Sequence, residues 1–420
     1  MKIIIKKSSC FLIFIFSIYN VLVAQTSKKI DWKNDLEIYK KDLEQKHIEV
    51  YHSITKEDFA NEWQKIYNNI DALNDFEIIV KLMRLTRLVN DGHTSISLQN
   101  ISKQHFPIEV KLIDGQWRVI KVSSKHSNLL KLSLTAIDDI PIDEVSAKVS
   151  EVAQFVENQY SQKIRTGEYL NIAELLYALH ITKKEHKAAF TFLDDNNQEI
   201  KTTLNSLGTG TSNEGSDFIH LTTDVAEITK PNNPAFPYLW FTPIKNTKAL
   251  YINFESYPNF EDMQVFGETL VNYIATNHIQ KIIIDMRNNG GGNLYVGVVL
   301  AYALNLADTI DWKNGVFVLT SNNTFSAATS NAALFKQLLN AKIVGEPTGS
   351  NPKGYQDMDS FTLPNSKLII TYSKRLFQLS EKLNTALQPD IFIKQDWVSL
   401  LRKEDNVLRK LIDDKIVANK

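Results

Sequence analysis

Four short apolar runs, 249–254 (ALYINF), 281–286 (KIIIDM), 316–320 (VFVLT) and 342–345 (KIVG), alternate with helical patterns at 261–276, 294–306 and 327–339. This alternation leaves few topologies open. Strands separated by helices are joined by crossovers, so the chain predicts a largely parallel α/β sheet. Runs such as Ile282-Ile283-Ile284 lack polar alternation, as strands covered on both faces do. In such sheets the chemistry gathers in loops at the carboxyl ends of the strands.

Two of those loops are unusual. The first, 287–293 (RNNGGGN), holds three consecutive glycines. Glycine backbone takes conformations closed to other residues, and successive N–H groups ahead of a helix can converge on an anionic oxygen. A tight turn is the plainer use of the same residues, and neither GxGxxG nor GK[ST] spacing is present. The second, 322–335 (NNTFSAATSNAALF), puts Ser326 at the start of a predicted helix. A serine there serves commonly as an N-cap. It also fits a nucleophile, because the helix N-terminus favours negative oxygen and the N–H of Ala327 is placed to receive it. Adjacent loops of one sheet would bring glycine nest and hydroxyl together, as acyl transfer requires.

The runs IIIDMRNNGGGN and TFSAA, with GEPTG from Gly345, resemble the tail-specific (C-terminal processing) serine peptidases, including their tricorn-like branch. NDGHTS at 90–95, TAIDDIPIDEV at 135–145 and QPDI at 388–391 extend the resemblance over most of the chain. It implies a ClpP/crotonase-like α/β catalytic core, with an N-terminal helical region and a PDZ-like small β region. It also implies peptide-bond hydrolysis, with Ser326 as nucleophile and Gly290 or Gly291 together with Ala327 as oxyanion donors. The substrate would be a peptide or an unfolded protein, and no cofactor is implied.

A serine hydroxyl needs a base, and two candidates stand in the sequence. His93, in DGHT, matches the histidine of the tricorn-like branch, and an imidazole needs little tuning near neutral pH. Lys353 matches the lysine of the processing branch, although it follows Gly349-Ser350-Asn351-Pro352 and so arrives late. A lysine base would need desolvation. The family's orienting acid should precede QPDI, where Leu383 stands and Glu381 is the nearest carboxylate; Asp91 is a further candidate. The remaining histidines show no metal-ligand spacing, and no metal is expected.

Upstream, residues 30–90 read as helical, with capping-box-like starts at Thr55/Asp58 and Asn74/Glu77. A stripe of Ile78, Leu82, Leu85 and Val89 should face a core, with an exit at Asn90-Asp91-Gly92 through the left-handed conformation of glycine. A hairpin is predicted across Asp114-Gly115, helix over 150–182, and a second hairpin over 187–204 turning at 194–197. The expected units are a signal peptide at 1–24, a helical region at 25–100, a PDZ-like region at 101–150, a connector at 151–236 with a loop at 205–217, the catalytic domain at 237–395, and a C-terminal helix at 396–420.

Lys2, Lys6 and Lys7 ahead of an apolar stretch from Phe11 to Val23, with Ala24 as cleavage residue, form the signal-peptide pattern. The stretch is shorter than the roughly 20 residues needed to span a bilayer. An exported protein, periplasmic or secreted, with no membrane span after cleavage is therefore expected. With 47 Lys+Arg against 48 Asp+Glu, the chain offers no general field for nucleic acid. The single cysteine, Cys10, lies in that leader, which excludes a disulfide framework. Two other functions share the same residues: a peptide-binding protein that has lost efficient chemistry, and a crotonase-type acyl-CoA enzyme, which export disfavours.

Overall fold

The computed structural model describes residues 29–208, 217–381 and 385–417. The expected signal peptide, most of the 205–217 loop and Leu383 lie outside these residues. The chain begins with α1 (Trp32–Lys46), α2 (Lys56–Asn69) and α3 (Asp75–Arg87). Thr55 caps α2 by accepting the Asp58 N–H, and Asn74 and Glu77 form a full capping box on α3. Ile78, Leu82, Leu85 and Val89 are buried. The exit from α3 differs from expectation. Asn90, with φ 60°, takes the left-handed conformation. Gly92 is needed for space, because a Cβ there would lie 2.8 Å from Glu157 Cβ and 2.9 Å from the Phe325 ring.

After β1 (Ser95–Ser97), β2 (Ile108–Ile113) and β3 (Gln116–Ser123) form the predicted hairpin. Asp114 and Gly115 both have positive φ, as a two-residue hairpin turn requires. There follow β4 (Ser133–Ile137), β5 (Ile140–Pro141), α4 (Ile142–Ser150), α5 (Gln159–Tyr169), α6 (Ala173–Ala178), β6 (Lys187–Leu193), β7 (Glu199–Asn205) and β8 (Phe218–His220). Strands β2-β3-β4-β6-β7 lie in that order in one antiparallel sheet, with β8 on β3. The second hairpin therefore completes the sheet of the first, across the boundary expected at 150. Helix does not fill 150–182 either. The chain from 152 to 158 is irregular until Asn158 accepts the N–H groups of Tyr160 and Ser161 and starts α5.

The rest of the chain comprises β9 (Leu239–Pro243), β10 (Ala249–Phe254), α7 (Phe260–Asn277), β11 (Lys281–Asp285), α8 (Leu294–Leu304), β12 (Val316–Thr320), α9 (Ala327–Leu338), β13 (Lys342–Gly345), β14 (Lys353–Thr362), β15 (Ile369–Gln378) and β16 (Ile391–Phe392). The main sheet has the order β16-β13-β12-β11-β10-β9, parallel except for β9. Leu250, Ile252, Ile282, Ile284 and Val318 share one core with residues of α7, α8 and α9. Tyr251, Ile283, Phe317 and Val344 share another with the C-terminal Val407, Leu408 and Leu411. Both faces are covered, which accounts for the unbroken apolar runs. The long β14–β15 hairpin was not legible in the sequence. It forms a separate three-stranded sheet in which β15 pairs with β1, Ser95 opposite Thr371.

The single C-terminal helix expected from 396 onward is divided. α10 (Trp397–Leu401) and α11 (Asn406–Leu411) are separated at Lys403, whose φ is 61°, and Asp405 caps α11. Asp405 also joins this segment to the main sheet. The Arg287 guanidinium, just past β11, bonds Asp285 at 2.6 Å and Asp405 at 2.7 Å, and the Tyr251 hydroxyl donates to Asp285 at 2.8 Å. Removing the cation from two buried carboxylates is costly. Arg287→Met is expected to destabilise the fold by about 3–5 kcal/mol, measured by denaturant unfolding.

Candidate active site

Ser326 lies between β12 and α9, at φ 52° and ψ −129°. A non-glycine residue in that region is strained, and such strain is maintained only where the surroundings enforce it. Here they do. The Phe325 N–H donates to the Asn289 carbonyl at 3.0 Å, and the Ser326 N–H to the Ser350 hydroxyl at 2.7 Å. Ser350 in turn donates to Thr329 at 2.8 Å. The Ser326 hydroxyl makes no cap bond to its helix. Its partner is His93, whose Nε2 lies 2.9 Å from Oγ. The two residues come from opposite ends of the chain, and the β1–β15 pairing is what joins them.

His93 is 2% exposed, and its ring lies 5.5 Å from that of Phe325. Burial lowers the imidazole pKa, which keeps the ring neutral and able to accept the hydroxyl proton. Asp91 holds the turn that presents it. Its carboxylate accepts the backbone N–H groups of His93 and Thr94 at 2.9 and 2.7 Å, and the hydroxyls of Thr94 and Ser373, both at 2.8 Å. His47 Nε2 adds a fifth contact at 2.8 Å. Burial opposes ionisation of Asp91, but the His47 and His52 imidazoles outweigh it and hold the carboxyl far below its usual range. Asp91 thus braces the His93 backbone.

Among the described residues His47, His52 and Asp91 are close enough to surround a metal ion. The His47 tautomer argues against that use. Its Nδ1 accepts the Glu49 N–H at 2.9 Å, so its proton sits on Nε2 and is donated to Asp91.

The glycine loop meets the serine as expected from adjacent strands. Gly291, at φ 108°, passes so close that a Cβ would stand 2.6 Å from Ser326 Cβ. Its N–H, however, is donated to Asn289 Oδ1 at 3.0 Å. The N–H groups of Gly290 and Ala327 have no partner among the described residues. Gly290, Gly291, Ser326, Ala327 and His93 line one cleft of about 620 Å³, with Arg165 and residues 356–358 of β14 on its walls.

Lys353 and Glu381 do not line this cleft. Lys353 Nζ donates to the Glu381 carbonyl oxygen at 3.3 Å, and Glu381 is exposed. Three residues to which the sequence assigned no role matter here. Asn289 and Ser350 fix the serine backbone as described, and the buried Glu157 carboxylate lies 3.8 Å from His93 Nδ1. The available signal for Glu157 was the capping pair Asn158 and Ser161, which marks a helix start and leaves the preceding residue free to point elsewhere.

No protein-family model matches the sequence, and no curated protein matches it. Among solved structures, mature CPAF superimposes with a TM-score of 0.65 at 12% identity, over 90% of this chain and 96% of that one. CPAF complexed with lactacystin gives 0.65 and 12%, over 91% and 97%. The photosystem II D1 C-terminal processing protease aligns less well, at a TM-score of 0.42 and 12% identity over 87% and 93%. The chain shares the mixed α/β fold of CPAF.

The Gly291 approach gives a direct test. Gly291→Ala is expected to cost about 1–3 kcal/mol in denaturant unfolding, as overpacking and a left-handed alanine do. A crystal structure of that variant should show Ser326 Oγ displaced from His93 Nε2.

Proposed function

We propose that this protein is a serine peptidase that hydrolyses peptide bonds through an acyl-enzyme on Ser326, with His93 as general base. The observation that carries this assignment is the 2.9 Å approach of His93 Nε2 to a hydroxyl held at a strained helix entry beside free N–H groups. The fold shared with CPAF, one of the serine peptidases among the structural neighbours, supports it.

His93 takes the Oγ proton as Oγ attacks the scissile carbonyl carbon. The oxyanion then lies toward the N–H groups of Ala327 and Gly290, strengthened by the positive end of α9. His93 returns the proton to the leaving amine. Water, activated by the same imidazole, then cleaves the ester and restores Ser326. β14 is an edge strand, and its residues 356–358 line the cleft. An extended peptide or unfolded protein segment is therefore placed to pair with it through main-chain hydrogen bonds. The PDZ-like role of 101–150 belongs to the same proposal.

Ser326→Ala is expected to abolish cleavage of an unfolded protein substrate at unchanged melting temperature. His93→Ala should lower kcat by at least about 100-fold, while Lys353→Ala leaves it within about twofold. Peptide binding without turnover by the wild-type chain would favour the non-catalytic alternative. Export is also proposed, from the N-terminal pattern. The processed chain should begin at Gln25, as read by mass spectrometry after expression with its own leader.

A further inference from the structure

A base imidazole works best when its second nitrogen is held by an acceptor, which fixes the tautomer and stabilises the cation formed in the reaction. With Nε2 accepting from Ser326, the His93 proton sits on Nδ1, and among the described residues this buried nitrogen makes no well-formed hydrogen bond, the Tyr355 carbonyl being only a weak acceptor. The Oε2 atom of Glu157 is likewise buried without a hydrogen-bond partner among the described residues. These two orphans face each other at 3.8 Å. Buried polar atoms without partners are costly, so two of them aimed at each other are unlike accidental packing.

The space around Glu157 is shaped for its side chain. Its other oxygen, Oε1, accepts the Asn351 N–H at 3.3 Å. Gly92 and Gly354 provide the room, since a Cβ on Gly92 would stand 2.8 Å from Glu157 Cβ and one on Gly354 would stand 2.8 Å from Oε1. Gly92 adjoins His93 in the chain, so the space that admits Glu157 is created beside the residue it faces.

Resting on the proposed serine mechanism, we infer that Glu157 is the positioning carboxylate of His93, closing on Nδ1–H by about an ångström when substrate fills the cleft. It replaces the acid expected near Glu381. The proton stays on Nδ1 throughout; the Ser326 proton goes to Nε2, and the carboxylate faces the resulting imidazolium. Burial first, and next the charge of Asp91, push the Glu157 carboxyl well above its usual range. The other groups bearing on His93 are Asp91, Asp357 and the backbone carbonyl of Tyr355. Arg165 sits over the Phe325 ring, and His47 and His52 lie behind Asp91.

Glu157→Gln keeps the size and removes the charge. Its kcat is expected to fall by about 100-fold or more, while the melting temperature holds or rises because a buried carboxyl with little to satisfy it is gone. The acid limb of kcat/KM should move to lower pH, since His93 then titrates without the carboxylate that favours its cation. In the inactive Ser326→Ala background, NMR titration of His93 should show the same downward shift when Glu157→Gln is added. A variant with cleavage within about threefold of wild type and an unmoved limb would overturn the assignment and leave the Tyr355 carbonyl as the ring's partner. A lowered melting temperature with an unmoved His93 titration would mark Glu157 as merely structural, and would overturn it too. Failure of the wild-type chain to cleave any peptide, with the NMR shift intact, would remove the peptidase assignment and keep the pairing.

Discussion

The pairing of β1 with β15 is the contact on which the site depends. Three residue pairs, from Ser95 opposite Thr371 to Ser97 opposite Ile369, tie a strand just past the N-terminal helices to the hairpin that follows β13. His93 lies just before that strand, and its ring reaches Ser326 only because the strand is docked there. The Asp91 carboxylate reinforces the joint from one side, accepting from the His93 backbone and from Ser373 of β15 at once. The proposed base is thus carried by one part of the chain and the proposed nucleophile by another, and the joint between them is made of backbone hydrogen bonds and one buried anion.

Two carboxylates flank His93, and their surroundings drive them apart. Asp91 accepts five hydrogen bonds and stays ionised. Glu157 has a single long backbone donor and little else to offset its burial. One anion is spent on backbone geometry. The Glu157 carboxyl has no partner among the described residues on its ring side, which is where a charge arising during a reaction would be compensated.

The parallel core was legible because both of its faces are covered, so Ile282, Ile283 and Ile284 announce a buried strand without reference to the rest of the chain. Ser326 and the glycine loop were legible for a related reason: adjacent parallel strands deliver their loops to one edge. The hairpin of β14 and β15 was missed because its residues are mixed in polarity and its buried stretches lie at unmatched places, 354–356 in one strand and 370–373 in the other. Glu157 was missed because its meaning lies in a contact with His93 far along the chain, which local periodicity does not record. The choice between His93 and Lys353 as candidate base was likewise a question of tertiary geometry. Both are motif positions, and what distinguishes them is that His93 meets Ser326 while Lys353 lies outside the cleft.

The most direct test of the central claim is chemical. Purified protein would be treated with a fluorophosphonate probe, and the modified peptide mapped by mass spectrometry. A hydroxyl activated by His93 predicts one adduct, on the Ser326 peptide, forming far more slowly when His93 is replaced by alanine. No adduct, or labelling that falls on another residue or is indifferent to His93, would contradict the account.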